Sequence, residues 1–342
     1  MSKKLVLFAI LALILFALSI VLFKLKPNIT GTAVYNEVYD NNGSINIFFC
    51  PRDNCSSKLT EVISLAKVSI DCALFDLNLE STADALSEKA NEIPVRVVFD
   101  NNNKKNIDKL EISFEYKFDT NNQLSHNKFC VIDNKIVFTG SMNPTLRDTQ
   151  HNNNNILIIN SAYFAQNYAD EFKELWYEQF GTGKKVKYPI IYLENIDLEN
   201  IKFENYFCPE DKCEQHVIKE VRNAKHTVYF MTFSFTSEQI ADAILTNKAL
   251  VDVKGIFEKS QNNKYNQYER LKGFGLNVRW DNNKYNMHHK VFIIDNETVI
   301  TGSYNPTSSG DERNDENMLI IHDNGLASQY LTEFVRIFAE AK

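Results

Sequence analysis

The chain has 342 residues, 44% of them hydrophobic, enough to bury a full core in one large or two ordinary domains, which excludes a disordered reading. Its formal charge is −7, and residues 1–26 hold four lysines and no acid, so the remainder carries −11. That balance excludes indiscriminate polyanion binding and leaves room only for a local cationic pocket.

Taken in chain order, residues 5–23, LVLFAILALILFALSIVLF, run nineteen positions without a charge between two flanking pairs of lysines. Such a segment is long enough to span a bilayer as a helix. No small-residue cleavage site stands out before Lys24, so 1–26 reads as an uncleaved signal anchor, the alternative being a cleaved signal peptide and a secreted body. Residues 27–44 read as a tether. Cys50 and Cys55 follow in FFCPRDNC, and the pattern returns as Cys208 and Cys213 in YFCPEDKC. A short disulfide closing each loop fits this spacing, with reduced thiols or a four-cysteine metal site as alternatives. Behind an anchor, disulfides place the body in an oxidising, extracytoplasmic space. Cys72 and Cys130 lie in apolar, strand-like runs and read as small buried hydrophobes.

The elements then alternate. INIFF is a strand, SKLTEVISLAK a helix, 68–75 an apolar strand, STADALSEKA a helix and VRVVFD a strand. FCVID and KIVFTGS form a hairpin turning at Asp133-Asn134, and EFKELWYEQF is an amphipathic closing helix. GTGKKVKYP, from Gly181, opens a linker.

The same series is then written again. AKVSIDCALFDLNLESTADAL from Ala66 aligns without gaps on AKHTVYFMTFSFTSEQIADAI from Ala224, an offset of 158 that also pairs the two cysteine loops. HNKFCVIDNKIVFTGSMNPT from His126 aligns on HHKVFIIDNETVITGSYNPT from His288 at an offset of 162, which persists to the end. The expected organisation is an anchor at 1–26, a tether at 27–44, one α/β half at 45–180, a linker at 181–202 and a second half at 203–342. Two homologous halves pack most simply about a pseudo-twofold axis, which would bring their histidine-lysine blocks face to face.

Neighbouring strand residues point to opposite faces, so His288 and His289 do not chelate one ion, and position 127 is Asn where 289 is His. No metal or cofactor is assigned. What both copies keep is His-x-Lys, an aspartate five positions later and a Gly-Ser-x-Asn beyond it. A lysine cation, an amide and a hydroxyl converging on an imidazole suit a bound phosphate, and two such sets suit one phosphodiester.

These residues resemble the phospholipase D superfamily, whose signature is H-x-K-x4-D-x6-G-S-x-N. The first half matches as His126, Lys128, Asp133, Gly140, Ser141 and Asn143, the second as His288, Lys290, Asp295, Gly302, Ser303 and Asn305. The resemblance implies a metal-independent, two-step phosphoryl transfer in which one histidine attacks phosphorus and the other serves as acid and base. By family analogy His126 is the nucleophile and His288 the acid/base, with both lysines and asparagines on the phosphate. Asp133 and Asp295 sit at turns and are expected in hairpin and orienting roles, as are Ser141 and Ser303. Glu316 lies 28 residues after His288, where the first copy has Asn154 at the same distance from His126. An acid there can fix a catalytic histidine's tautomer, and if the contact crosses the axis it supports His126.

The polar runs from Asn101 and Gln261 occupy matching loops and are expected to rim the cleft. The expected substrate is a phosphodiester, with phospholipid preferred. The alternatives are a nuclease acting on DNA or RNA, a phosphatidyltransferase resembling cardiolipin synthase, and a non-catalytic polyanion-binding module. The expected partner besides substrate is the membrane, through residues 5–23, and with both motifs in one chain a monomer suffices.

Overall fold

The structure, a computed structural model, describes residues 37–194 and 200–342. Among the described residues sixteen strands form two sheets. The first holds β2 (Ser44–Cys50), β3 (Ile70–Leu74), β4 (Val95–Phe99), β5 (Glu115–Phe118), β6 (Lys128–Ile132), β7 (Ile136–Gly140) and β8 (Asn154–Asn160), in the order β2-β8-β7-β6-β3-β4-β5. The second half repeats that order with β10 (Ile201–Cys208), β16 (Glu316–His322), β15 (Thr298–Gly302), β14 (Lys290–Ile294), β11 (Thr227–Thr232), β12 (Asp252–Phe257) and β13 (Asn277–Trp280). It is extended at one edge by β9 (Ile190–Leu193) and β1 (Glu37–Asp40). Thus segments read from sequence as tether and linker contribute strands. Their alternation is short, but Ile191 and Leu193 bury fully against the core.

Local sequence explains these elements. β3 is buried at all five positions, as a central strand covered on both faces must be. Asp133 and Asn134 (φ 55° and 50°), and again Asp295 and Asn296 (φ 55° and 54°), supply the paired left-handed residues of a tight hairpin. Gly140 and Gly302 stand at φ 142° and 134°, and a Cβ at either would strike the carbonyl of Asn155 or Asn317 on the next strand. That close approach is what lets Ser141 and Ser303 reach the neighbouring strand.

Two long helices, α1 (Ala162–Trp176) and α2 (Asn324–Glu340), close the halves, capped by Ser161 and Asp323. Their apolar stripes correspond position by position: Phe164, Tyr168, Phe172 and Leu175 against Leu326, Tyr330, Phe334 and Ile337. Both stripes enter one core shared by the halves. Tyr168 packs edge-on against Phe207 of the other half at 5.0 Å, and Tyr330 against Phe49 at 5.1 Å. Each buried aromatic contributes about 1.5–3 kcal/mol, so the halves are held by a common interior rather than by a surface contact.

The expectation of an α/β fold preceded by a transmembrane helix is corrected in its second part. Among the described residues no helix is long and apolar enough to cross a membrane. The longest, α2, spans 17 residues and carries Glu333 and Arg336 within it. The segment 5–23 lies outside the described residues. The expected membrane-anchored, extracytoplasmic placement falls with it, because no helix of the described residues is long and apolar enough to carry it.

Cys50 bonds Cys55 and Cys208 bonds Cys213. Cys72 and Cys130 are not free small hydrophobes: they form a third disulfide. They are direct partners in the antiparallel β3–β6 register, a pairing that only the sheet reveals.

Candidate active site

His126 and His288 stand just before β6 and β14, and the backbone of each is pinned by the other half. The His126 N–H donates to the Asp315 carbonyl at 2.9 Å, and the His288 N–H donates to the Asn153 carbonyl at 2.8 Å. Both rings are almost wholly buried. Each meets an aromatic edge, Phe75 at 4.9 Å from His126 and Phe233 at 4.6 Å from His288. The sequence reading gave these phenylalanines no role, although the offset of 158 pairs them.

Lys128 and Lys290 are buried beside them. Lys128 Nζ donates to the His126 carbonyl at 2.6 Å and Lys290 Nζ to the His288 carbonyl at 2.9 Å, each ammonium lying 5.0 Å from the centre of its phenylalanine ring. Burial lowers the Lys128 pKa to about 8. Burial and then the Lys128 charge push Lys290 well below its ordinary value. Both histidines are likewise pushed well down, by burial first and then by the two lysines. Four groups that all gain stability from a nearby anion therefore share one dry centre.

The rings differ in what holds Nδ1. His126 Nδ1 lies 2.8 Å from Glu316 Oε2, so that contact crosses between halves. His288 Nδ1 lies 2.9 Å from the amide oxygen of Asn154, which also crosses. Burial raises Glu316 to about 8, against the pull of Lys128 and Lys290. Asp148, which no motif singles out, lies 3.6 Å from His288 Nδ1. Its Oδ2 is already taken by the backbone N–H and side-chain amide of Asn143, both at 2.8 Å. At the corresponding position the second half has Gly310, so the copies offered no pattern to find it by.

The remaining motif residues divide. Asn143 Oδ1 and Asn305 Oδ1, each at the last position of its motif, are buried without a hydrogen-bond partner. Ser141 Oγ donates to Asn154 Oδ1 at 3.0 Å and accepts from the Asn155 N–H, while Ser303 Oγ accepts from the Asn317 N–H at 2.9 Å, so both tie their loops to the next strand. Asp133 accepts from the N–H groups of Lys67, Val68 and Ser69, and Asp295 from those of Lys225, His226 and Thr227. Burial alone would raise Asp295, but those three donors hold it below the usual carboxylate range. Both aspartates thus tie their hairpin turn to the chain entering β3 or β11. His289 points to the opposite face from His288, with Nδ1 3.1 Å from Asn155 Oδ1 and Nε2 3.8 Å from Glu333.

The loop from Gln261 lines a cavity of about 1260 Å³ that also takes in Ser308 to Arg313, the segment after Asn305. Its charged lining is five acidic against three basic side chains.

Comparison with known proteins bears on the family. The family described as "Cardiolipin synthase, PLD-like domain" matches twice, at residues 59–176 and 217–338, well over half the chain. The chain belongs to the phospholipase D superfamily. A phospholipase D of Rickettsia conorii is 30% identical over 141 residues, which is 41% of this chain and 70% of that protein. The mitochondrial cardiolipin hydrolase of Xenopus tropicalis is 32% identical over 138 residues, 38% of this chain and 66% of that protein. The phosphatidylserine synthase of Haemophilus influenzae superposes with a TM-score of 0.64 over 86% of this chain and 87% of its own, at 14% identity, a likeness of fold.

Proposed function

We propose that this member of the phospholipase D superfamily is a phosphodiesterase that hydrolyses phospholipid through a phosphohistidine on His126. The observation that carries the reading is the pair of buried ammonium groups, Lys128 and Lys290, each donating one hydrogen bond to a histidine carbonyl. A lysine has three N–H donors, so both keep donors for the non-bridging oxygens of one phosphate, beside the amides of Asn143 and Asn305.

With Nδ1–H donated to Glu316, the lone pair of His126 sits on Nε2, the tautomer a nucleophile needs. Nε2 attacks phosphorus, the bond to the leaving oxygen breaks, and His288 passes that oxygen a proton. Water then attacks the phosphohistidine, gives its proton to His288, and the P–N bond breaks to restore His126. His288 faces a neutral amide oxygen rather than a full hydrogen-bonded carboxylate, which keeps its imidazolium acidic and suits proton donation. The relatives named as phospholipase D and cardiolipin hydrolase support the lipid substrate. So does the predominance of acidic side chains in the cavity lined by the segment after Asn305, and so do two exposed apolar side chains, Leu146 just after the first motif and Tyr265 in the lining of that cavity.

The test is an assay of the purified full chain in EDTA, with anionic and zwitterionic phospholipid vesicles set against single- and double-stranded nucleic acid. Release of headgroup from vesicles, lost in His126→Ala and His288→Ala, is the expected result. Cleavage of nucleic acid alone would replace the lipid reading with a nuclease, and cleavage surviving both substitutions would remove the mechanism.

A further inference from the structure

Apart from the phosphate centre, three carboxylates among the described residues converge without a counter-charge, and the internal repeat shows what is missing. In the second half Glu333, on α2, is almost completely buried. It is held by Arg52 from the first cysteine loop at 2.9 Å and by Arg336, one turn further along α2, at 2.6 Å. His289 stands 3.8 Å away. Burial alone would raise this carboxylate, but His289 and Arg336 bring it down to about 2.

The repeat places Glu171, on α1, at the position of Glu333. It too is buried, at 6% exposure. The counterpart of Arg336 is Glu174, and the counterpart of Arg52, in the second cysteine loop, is Glu210. Where the second helix faces two guanidinium groups, the first therefore faces two more carboxylates. Oxygens of Glu171, Glu174 and Glu210 lie within 4.8 Å of one another.

Among the described residues none of the three forms an ion pair with a lysine or arginine, although Lys173, Lys184 and Lys185 line the adjoining cavity of about 500 Å³. Glu171 has no hydrogen-bond donor among the described side chains and backbone, and Glu210 Oε2 is buried with no partner. Asp315 Oδ2, close enough for its charge to act on Glu171, is also buried without one. The linker folds over the group. The Lys184 N–H donates to Glu174 Oε2 at 3.0 Å, and a Cβ on Gly183 would collide with carboxylate oxygens of both Glu174 and Glu210. Holding one buried and two half-buried carboxylates this close without a compensating cation is unfavourable.

We propose that Glu171, Glu174 and Glu210 form a binding site for one hard divalent cation, with Ca²⁺ as the fitting probe, standing where two arginines stand in the other copy. Three carboxylates at this spacing match the oxygen-only, flexible coordination of Ca²⁺, with waters completing the shell. The ion joins α1 of the first half, the cysteine loop of the second and the linker between them. Its role is to hold the halves together, and it takes no part in the phosphoryl transfer.

The test is thermal unfolding and calorimetric titration of the purified full chain, stripped with chelator, in mildly alkaline buffer. Saturating Ca²⁺ is expected to raise Tm by about 5 °C, by mass action on the folded state alone. Calorimetry should count one ion per chain. Glu171→Gln, nearly the same shape, should abolish the response. The double substitution Glu174→Arg with Glu210→Arg, which writes the other copy's arginines into this site, should fold with a Tm that ignores Ca²⁺. A wild-type Tm and calorimetric signal indifferent to Ca²⁺, Mg²⁺ and Mn²⁺ would overturn the proposal, leaving protons as the only neutralising partner. An ion response that survives Glu171→Gln unchanged would overturn it as well.

Discussion

The two histidines are equivalent in position, in burial, in the lysine beside them and in the phenylalanine they lean on, and they differ in what surrounds Nδ1. Nδ1 of His126 meets a carboxylate from the far half, and Nδ1 of His288 meets an amide oxygen from the far half. An acid and a nucleophile need opposite things from an imidazole: one must give up a proton, the other must keep its lone pair on a chosen nitrogen. On the proposed mechanism a symmetric scaffold separates two roles by what surrounds Nδ1, Glu316 against Asn154 and Asp148 against Gly310.

The largest expected effect breaks the comparison outright. His126→Ala should abolish covalent labelling by a phosphodiester substrate and lower turnover roughly 10³-fold or more, while His288→Ala should retain labelling with a good leaving group and lose turnover. Labelling that survives in His126→Ala would reverse the roles. Next, Glu316→Gln should slow phosphoenzyme formation about 10²-fold, and Asn154→Ala much less, in rapid-quench measurements. Equal losses would dissolve the distinction between the two Nδ1 partners.

The pH dependence is smaller and has a definite sign. The Lys128 ammonium exists below about 8 and is lost as pH rises through that value, so KM for an anionic substrate should climb above pH about 8 with kcat less affected. Smallest on activity, Asp133→Ala removes the acceptor for three backbone N–H groups in the loop leading into β3. It should cost about 1–3 kcal/mol in denaturant unfolding and leave the pH profile in place. A changed profile would move Asp133 into the chemistry.

Much of this was legible in the sequence because the chain states its fold twice. The offsets of 158 and 162 are enough to align strands, hairpins and motifs, and the alternation of apolar runs gives the α/β class. The strands at 37–40 and 190–193 were not legible. They are short, and their apolar alternation gains meaning only against the edge that receives them. The Cys72–Cys130 bond needed a strand register, and Asp148 needed the approach of two halves, neither of which a one-dimensional pattern carries. The Glu316 difference was visible as an asymmetry, but its partner across the axis was not.

The backbone bonds from His126 to Asp315 and from His288 to Asn153 carry a further consequence. Neither half builds a finished active site, since each ring is positioned by strands of the other. Two separate identical subunits could make the same arrangement, but every substitution would then appear at both sites. Covalent linkage lifts that obligation. Once the copies share a chain, a glutamate can enter at 316 without entering at 154, and arginines can stand around Glu333 while glutamates gather around Glu171. The fused chain is free to specialise its left and right hands.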